Sequence, residues 1–220
     1  FNIQPLDLGE AISEISHLVR SALSKKVTLR TSLETGIAPI EADPAQIQQV
    51  AMNLIMNAAE ALDPDHGGLV TVAVSQGSFA AGELRGNRTL ETLPEGEYVC
   101  LSVSDTGCGM DAPTLERLFD PFFTTKFTGR GLGLSAVLGI ARAHKAAVLV
   151  NSRPGEGTTI RALFPAAERR EASCDEPVFH TPAAPPSGPS TVLFVDDELE
   201  TLSLGAMMLE QYGFNVVTAA

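Results

Sequence analysis

The stretch FTGRGLGLSAV, residues 127–137, sets three glycines in five positions directly before an apolar, helix-compatible run. Glycines at that density mark a backbone that must approach something closely, most often a phosphate. The run matches neither G-x-x-x-x-G-K-[ST] nor G-x-G-x-x-G, so the P-loop and dinucleotide fingerprints do not account for it. What remains is a loop entering a helix over about residues 131–144, whose free N–H groups and dipole suit an anion. Lys126 and Arg130 place positive charge beside it. Just upstream, Phe119, Phe122 and Phe123 precede Thr124 and Thr125. A core wedge is the plain reading of the three rings.

Working outward, residues 7–25 carry Leu8, Ile12, Ile15, Leu18, Val19 and Leu23 at helical spacing, with Asp7 and Glu10 placed as an N-cap and capping-box pair. Strand-like runs follow at VTLRTSL and IAPIEA. A second helix starts behind Asp43, with Pro44 at its first position and Gln46 three residues after the cap, and runs to about Leu62. Beyond it lie GLVTVAVS, a Gly-rich loop, EYVCLSVSDTG, a short helix at APTLERLF, and the paired strands AAVLVNS and GTTIRALF around RPGEG. Residues 166–190 are Pro-, Ala- and Ser-rich without periodicity and read as a linker. After it, TVLFVDDELE reads as a strand ending in acids, followed by a helix-like run and the strand NVVTAA.

Ile47, Val50, Ala51, Leu54, Ile55, Ala58 and Leu62 give the second helix one broad apolar face. Its opposite stripe is Gln46, Gln49, Asn53, Asn57 and Glu60, nearly all neutral amides where Lys and Glu would be usual. Asn is a poor helix former, and at i and i+4 the side chains of Asn53 and Asn57 point the same way. An amide oxygen suits Mg²⁺ without adding negative charge, an advantage where phosphates are the other ligands; a polar solvent face is the alternative. DTGCGM closes an apolar strand, and Asp105 with Gly107 and Gly109 reads either as a plain turn or as a carboxylate accepting from an exocyclic amine. Such an acceptor favours adenine over guanine.

The 220 residues are 44% hydrophobic and carry a net charge of −12, which suits a globular protein and argues against nucleic acid as the main partner. No apolar run reaches the length of a membrane span, and the N-terminus has neither a signal-peptide pattern nor an initiator Met. A piece of a longer protein is the expectation. Cys100, Cys108 and Cys174 have neither metal spacing nor disulfide density, which fits a reducing cytoplasmic setting.

In order, NLIMNAAEA, DTGCGM, FFTTK, GRGLGL and GEGTT resemble the N, G1, F, G2 and G3 boxes of the histidine-kinase catalytic domain. This is the Bergerat ATP-binding fold, shared with DNA gyrase, heat-shock chaperone and mismatch-repair ATPases. Each motif is weak alone; five in this order are specific. The resemblance covers residues 1–165 and implies an α/β (α+β) two-layer sandwich, a mixed sheet covered by helices on one face. By position it makes Asn57 the Mg²⁺ ligand, Asn53 a phosphate contact, and Asp105 the adenine acceptor supported by Gly107 and Gly109. Lys126, Arg130, Gly129, Gly131, Leu132, Gly133 and Leu134 become the lid and phosphate cradle, and Thr159 a residue near adenine. ATP and Mg²⁺ are the implied cofactors. In hydrolysing relatives the residue four before the Mg²⁺-binding Asn is typically a water-activating Glu; here it is Asn53, which cannot take a proton. That favours phosphotransfer over hydrolysis, although Glu60 lies on the same stripe and could substitute. An ATP-hydrolysing clamp and a degenerate nucleotide-fold scaffold are the rival readings.

Residues 191–220 resemble the first β-α-β of a response-regulator receiver domain, which makes Asp196 and Asp197 its acidic Mg²⁺ pair. Kinase domain, linker and receiver together resemble a hybrid sensor histidine kinase. The implied partners are a dimerising hairpin bearing the phosphoaccepting His, outside this chain, and a receiver domain. His17 lacks the hairpin motif and reads as a bystander. The chain itself is expected to be monomeric. Some thirty residues with one helix cannot bury a receiver core, so an unfolded or loosely docked tail is expected. One departure from the family is HKAAV at 144–148, where relatives usually carry glycines.

Overall fold

The computed structural model describes residues 2–84, 86–89, 93–124, 131–167, 191–195, 199–211 and 213–219. It divides into two units, Phe1–Arg169 and Arg170–Ala220. The first opens with a short strand that has no clear sequence signal, β1 (Gln4–Leu6), which pairs antiparallel with β3 (Ile40–Ala42). Between them run α1 (Leu8–Ala22) and β2 (Val27–Leu33). Then follow α2 (Pro44–Glu60), β4 (Gly68–Phe79), β5 (Gly96–Asp105), α3 (Ala112–Arg117), α4 (Gly133–Ala143), β6 (Ala147–Arg153) and β7 (Gly157–Pro165). The main sheet has the order β2-β4-β5-β7-β6; β2 runs parallel to β4 and every other pair is antiparallel. Backbone pairing continues past the composition break at 166, since Ala166 bridges Ile40 and the Ala167 N–H donates to Pro39 O.

The period-two alternation sorts the sheet into two faces. Val70, Val72 and Val74 of β4, Val99, Leu101 and Val103 of β5, and Ile160, Ala162 and Phe164 of β7 point into one core with the helices. All seven apolar-face residues of α2 and its C-terminal extension, Ile47 to Leu62, are buried there. On α1 the buried stripe is Leu8, Ile12, Ile15 and Val19, while Leu18 lies off it and is 61% exposed. The amphipathic reading holds with one residue too many. The other face of the sheet is not bare. Tyr98, Cys100, Ala147 and Leu163 form a second buried cluster with Leu84 and Leu93 of the β4–β5 connection.

That connection is fixed by hydrogen bonds rather than by regular structure. The Asn87 Oδ1 accepts from the N–H groups of Thr89 and Val148, and the Arg88 N–H donates to Val148 O. Arg142 of α4 donates to Thr89 O at 3.1 Å.

Three helices begin on an aspartate. Asp7, Asp43 and Asp111 each accept a backbone N–H of the first turn of α1, α2 and α3. α4 has no side-chain cap, and its preceding residue is Leu132. Its C-terminus closes as a Schellman motif, with Ala146 N–H on Ala141 O at 2.8 Å and Lys145 N–H on Arg142 O at 3.0 Å. The left-handed position of that motif is Lys145, at φ +51°. Next to it the buried His144 ring bonds Ile140 O through Nδ1 and accepts the Asp43 N–H at Nε2, 3.1 Å away. The end of α4 is thereby tied to the start of α2.

The second unit forms β8 (Thr191–Val195), α5 (Leu199–Gln211) and β9 (Asn215–Ala219), with β8 and β9 parallel. Chain length alone argues for an unfolded or loosely docked tail; the segment instead satisfies its backbone locally through one helix and one strand pair. Its apolar side chains are left in the open, with Leu193, Val195 and Val217 at 64%, 61% and 53% exposed.

A non-glycine residue in the left-handed region costs about 1 kcal/mol, so Lys145→Gly is expected to stabilise the first unit by about that amount. A urea titration followed by circular dichroism checks it; an unchanged or lowered midpoint would contradict the strain assigned to this turn.

Candidate functional site

A cavity of about 640 Å³ opens between α2, the ends of β5 and β7, and the N-terminus of α4. One end is built by the turn after β5 and the β6–β7 turn, which interlock. Gly109 (φ +64°) lies so close that a methyl there would overlap the Arg153 carbonyl, and one at Gly157 (φ +85°) would overlap that of Asp105. The Gly155 N–H donates to Cys108 O at 2.7 Å and closes the pair. Within this clamp Asp105 is 7% exposed, and its Oδ1 accepts the N–H groups of Gly107 at 2.8 Å and Thr158 at 3.3 Å. The turn reading and the acceptor reading of DTGCGM are therefore compatible. The Asx turn to Gly107 is what holds the carboxylate at the cavity wall.

The other end is polar in a different way. Asn57 and Glu60 of α2 line it, facing Gly131, Leu132, Gly133 and Leu134 at the start of α4. The stripe is divided: Gln49 and Glu60 are exposed, as a solvent face would be, while its amides at 53 and 57 are not. Asn53 and Asn57 are half-buried, and a Cβ at Gly133 would lie 3.5 Å from the Asn53 Oδ1 and the Asn57 Nδ2. α4 thus brings its first turn against two neutral amides, and no carboxylate cap occupies its N–H donors. Helix dipole and unpaired donors together favour an anion here, and a capping Asp of the kind used on α1–α3 would repel one.

Between the two ends the wall is apolar, from Leu54, Ala58, Val103, Met110, Phe123 and Ile160. Arg117 covers the Phe123 ring at 4.4 Å. The core-wedge reading fits Phe119, which packs against the main core, but not Phe122, which is 74% exposed at φ +65°.

The structure gathers Asn57, Glu60, Asp105, Gly109, Gly131, Leu132, Gly133 and Leu134 around the cavity, with Asn53 beside Gly133 and Gly107 beneath Asp105. Thr159 is a correction. It alternates to the opposite face of β7, where its hydroxyl bonds Ser104 at 2.8 Å, and Thr158 lines the cavity instead. Ile160, Ala162 and Phe164 share the inward face with Thr158, so the alternation in GTTIRALF was the available signal. Lys126, Gly129, Arg130, Asp196 and Asp197 lie outside the described residues. Sequence reasoning also missed Cys108, Met110 and Phe123 on the cavity wall. Of the described thiols, Cys108 is exposed; burial pushes the Cys100 thiol up to about 11.

Residues 42–168 match the family described as "Histidine kinase-, DNA gyrase B-, and HSP90-like ATPase". The sensor kinase CckA of Brucella abortus (strain 2308) is 34% identical over 98% of this chain and 23% of its own length. The signal transduction histidine-protein kinase AtoS of Escherichia coli (strain K12) is 31% identical over 74% of this chain and 24% of its own. The chain therefore spans about a quarter of these relatives. Among solved structures, the catalytic domain of the histidine kinase ThkA superposes with a TM-score of 0.60 at 25% identity, covering 76% of this chain and 97% of that one. Full-length ShkA in complex with AMPPNP gives 0.59 at 21% identity over 100% of this chain and 41% of its own, a likeness of fold. The chain belongs to the histidine kinase-, DNA gyrase B- and HSP90-like ATPase family and carries, in its first unit, the ATP-binding catalytic domain of a sensor histidine kinase.

Proposed function

We propose that this cavity binds Mg-ATP and that the γ-phosphate passes to a histidine on a helical hairpin outside this chain. The observation that carries the reading is the pairing of a buried carboxylate at one end with an uncapped helix N-terminus at the other. Asp105 would accept the adenine amino group, the apolar wall would take the ring, and the α4 N–H groups would receive the phosphates. Lys126 and Arg130 would add cationic charge to that end.

The donor set fits Mg²⁺ in a particular way. Asn57 offers a neutral hard oxygen, and no cluster of three or more His, Cys, Asp or Glu gathers among the described residues. A cation held by Asn57 would rest mainly on phosphate oxygens and water. When bound it would neutralise charge that builds on the transferred group. The protein's own share is positioning: Asn53 and Asn57 lie beside the start of α4, and Asn53 presents no base to a water. A site arranged this way keeps the γ-phosphate from hydrolysis until the imidazole arrives in line.

The second unit is proposed as the beginning of a receiver domain, with Asp196 and Asp197 as its Mg²⁺ pair. The parallel β-α-β supports this, as does the match to a sensor kinase along 98% of the chain. Among the described residues no helix is long and apolar enough to cross a membrane, and we place the chain in the cytoplasm and expect a monomer by light scattering.

Calorimetric titration is expected to show Mg-ATP bound at least tenfold more tightly than Mg-GTP, with both Asn57→Ala and Asp105→Asn losing tenfold or more. A folded protein that binds neither nucleotide would leave the scaffold reading standing. The hydrolase reading has one specific observation in its favour, Glu60 at the cavity. ATP turnover without an acceptor is expected to be slow and unaltered by Glu60→Gln; steady turnover abolished by that change would reverse the assignment. Finally, Mg-ATP is expected to protect Cys108 from maleimide in a Cys174→Ser background, while buried Cys100 stays unmodified. Equal labelling of Cys108 with and without nucleotide would place ATP elsewhere.

A further inference from the structure

Ser152, Thr158 and Asp105 form one rung across three adjacent strands, since Ser152 pairs with Thr158 and Thr158 with Asp105. The rung ends at the cavity, which Asp105 and Thr158 line and Ser152 does not. The Ser152 Oγ has three neighbours: it accepts the Met110 N–H at 2.9 Å, reaches Gly157 O at 3.1 Å, and lies 2.9 Å from the Thr158 Oγ1.

A hydroxyl has one hydrogen and two lone pairs. Gly157 O has no hydrogen to give, so the single Ser152 hydrogen goes there. The Met110 N–H takes one lone pair of Ser152. The contact with Thr158 then has only one arrangement, in which Thr158 donates its hydrogen to the second lone pair. With its hydrogen committed, the Thr158 Oγ1 can only accept from anything in the cavity. Asp105 beside it is a carboxylate and likewise accepts.

We propose that Ser152 is a positioning residue that sets the base selectivity of the nucleotide site by holding the Thr158 hydroxyl as an acceptor. The inference rests on the nucleotide reading above. Where Asp105 and Thr158 face position 6 of a purine, two acceptors suit an amino group, directly or through a water, and mismatch a carbonyl. Without Ser152 the Thr158 hydroxyl is free to turn and donate, and the mismatch is relieved.

The test uses the whole chain and compares Mg-ATP with Mg-ITP, which differ at position 6, amino or oxo, and in the N1 hydrogen that the 6-oxo base carries. The wild type is expected to prefer ATP. In Ser152→Ala the ratio of the two dissociation constants is expected to shrink about tenfold, the worth of one well-placed hydrogen bond. Ser152→Thr, which keeps the hydroxyl, is expected to restore it. A merely structural role for Ser152 would weaken both nucleotides alike and leave the ratio unchanged, and that result overturns the inference. Should Ser152→Ala fail to fold, the near-isosteric Thr158→Val carries the test: the ratio must fall there too, and an unchanged ratio overturns the inference. A folded wild type that binds neither nucleotide sinks the nucleotide reading itself, a result distinct from selective binding that Ser152 does not influence.

Discussion

The packing of α2 between the sheet and α4 is the constraint from which the site follows. One side of α2 is a continuous apolar stripe, Ile47 to Ala58, buried against the sheet. The stripe turned toward the start of α4 carries Asn53 and Asn57. Burying amides costs free energy unless they find partners, so two half-buried amides beside another helix mark a polar site rather than core packing. The first turn of α4 lies beside them at Gly133, and the absence of a side-chain cap on that turn leaves donors for a ligand.

The opposite end of the cavity rests on backbone rather than on side chains. Two turns from distant parts of the sequence are pressed together so tightly that only glycine fits at Gly109 and Gly157. This contact fixes the direction of the Asp105 carboxylate, because the two N–H groups that hold its Oδ1 belong to the turn and to the neighbouring strand. A carboxylate so restrained keeps its acceptor geometry without rearranging.

Much of this was legible in the sequence. The caps at Asp7 and Asp43, the α2 face and the strands of the main sheet follow from local chemistry and period. The site motifs were also legible, through glycine spacing and the unusual amides on a helix. What failed depended on non-local register or on tertiary fit. β1 is three residues long and exists because β3 pairs with it. The resemblance points to Thr159, but one residue along a strand reverses the face, and it is Thr158 that lines the cavity. Leu18 has the helical spacing of a core residue, yet the core does not extend to it. Lys145 occupies a turn where chemistry predicts glycine, and the Schellman bonds form around it regardless.

The β4–β5 connection has a bearing on how the domain meets other chains. At β6, the last strand of the sheet, Asn87 and Arg88 occupy both the N–H and the carbonyl of Val148. They behave as a counterfeit sixth strand, one side-chain amide standing in for a peptide group. An intruding strand finds no open ladder at that point, and edge-to-edge association is blocked where an exposed border would invite it. The other border, β2, pairs only with β4 among the described residues and carries no such cover, so the two edges of one sheet are guarded unequally.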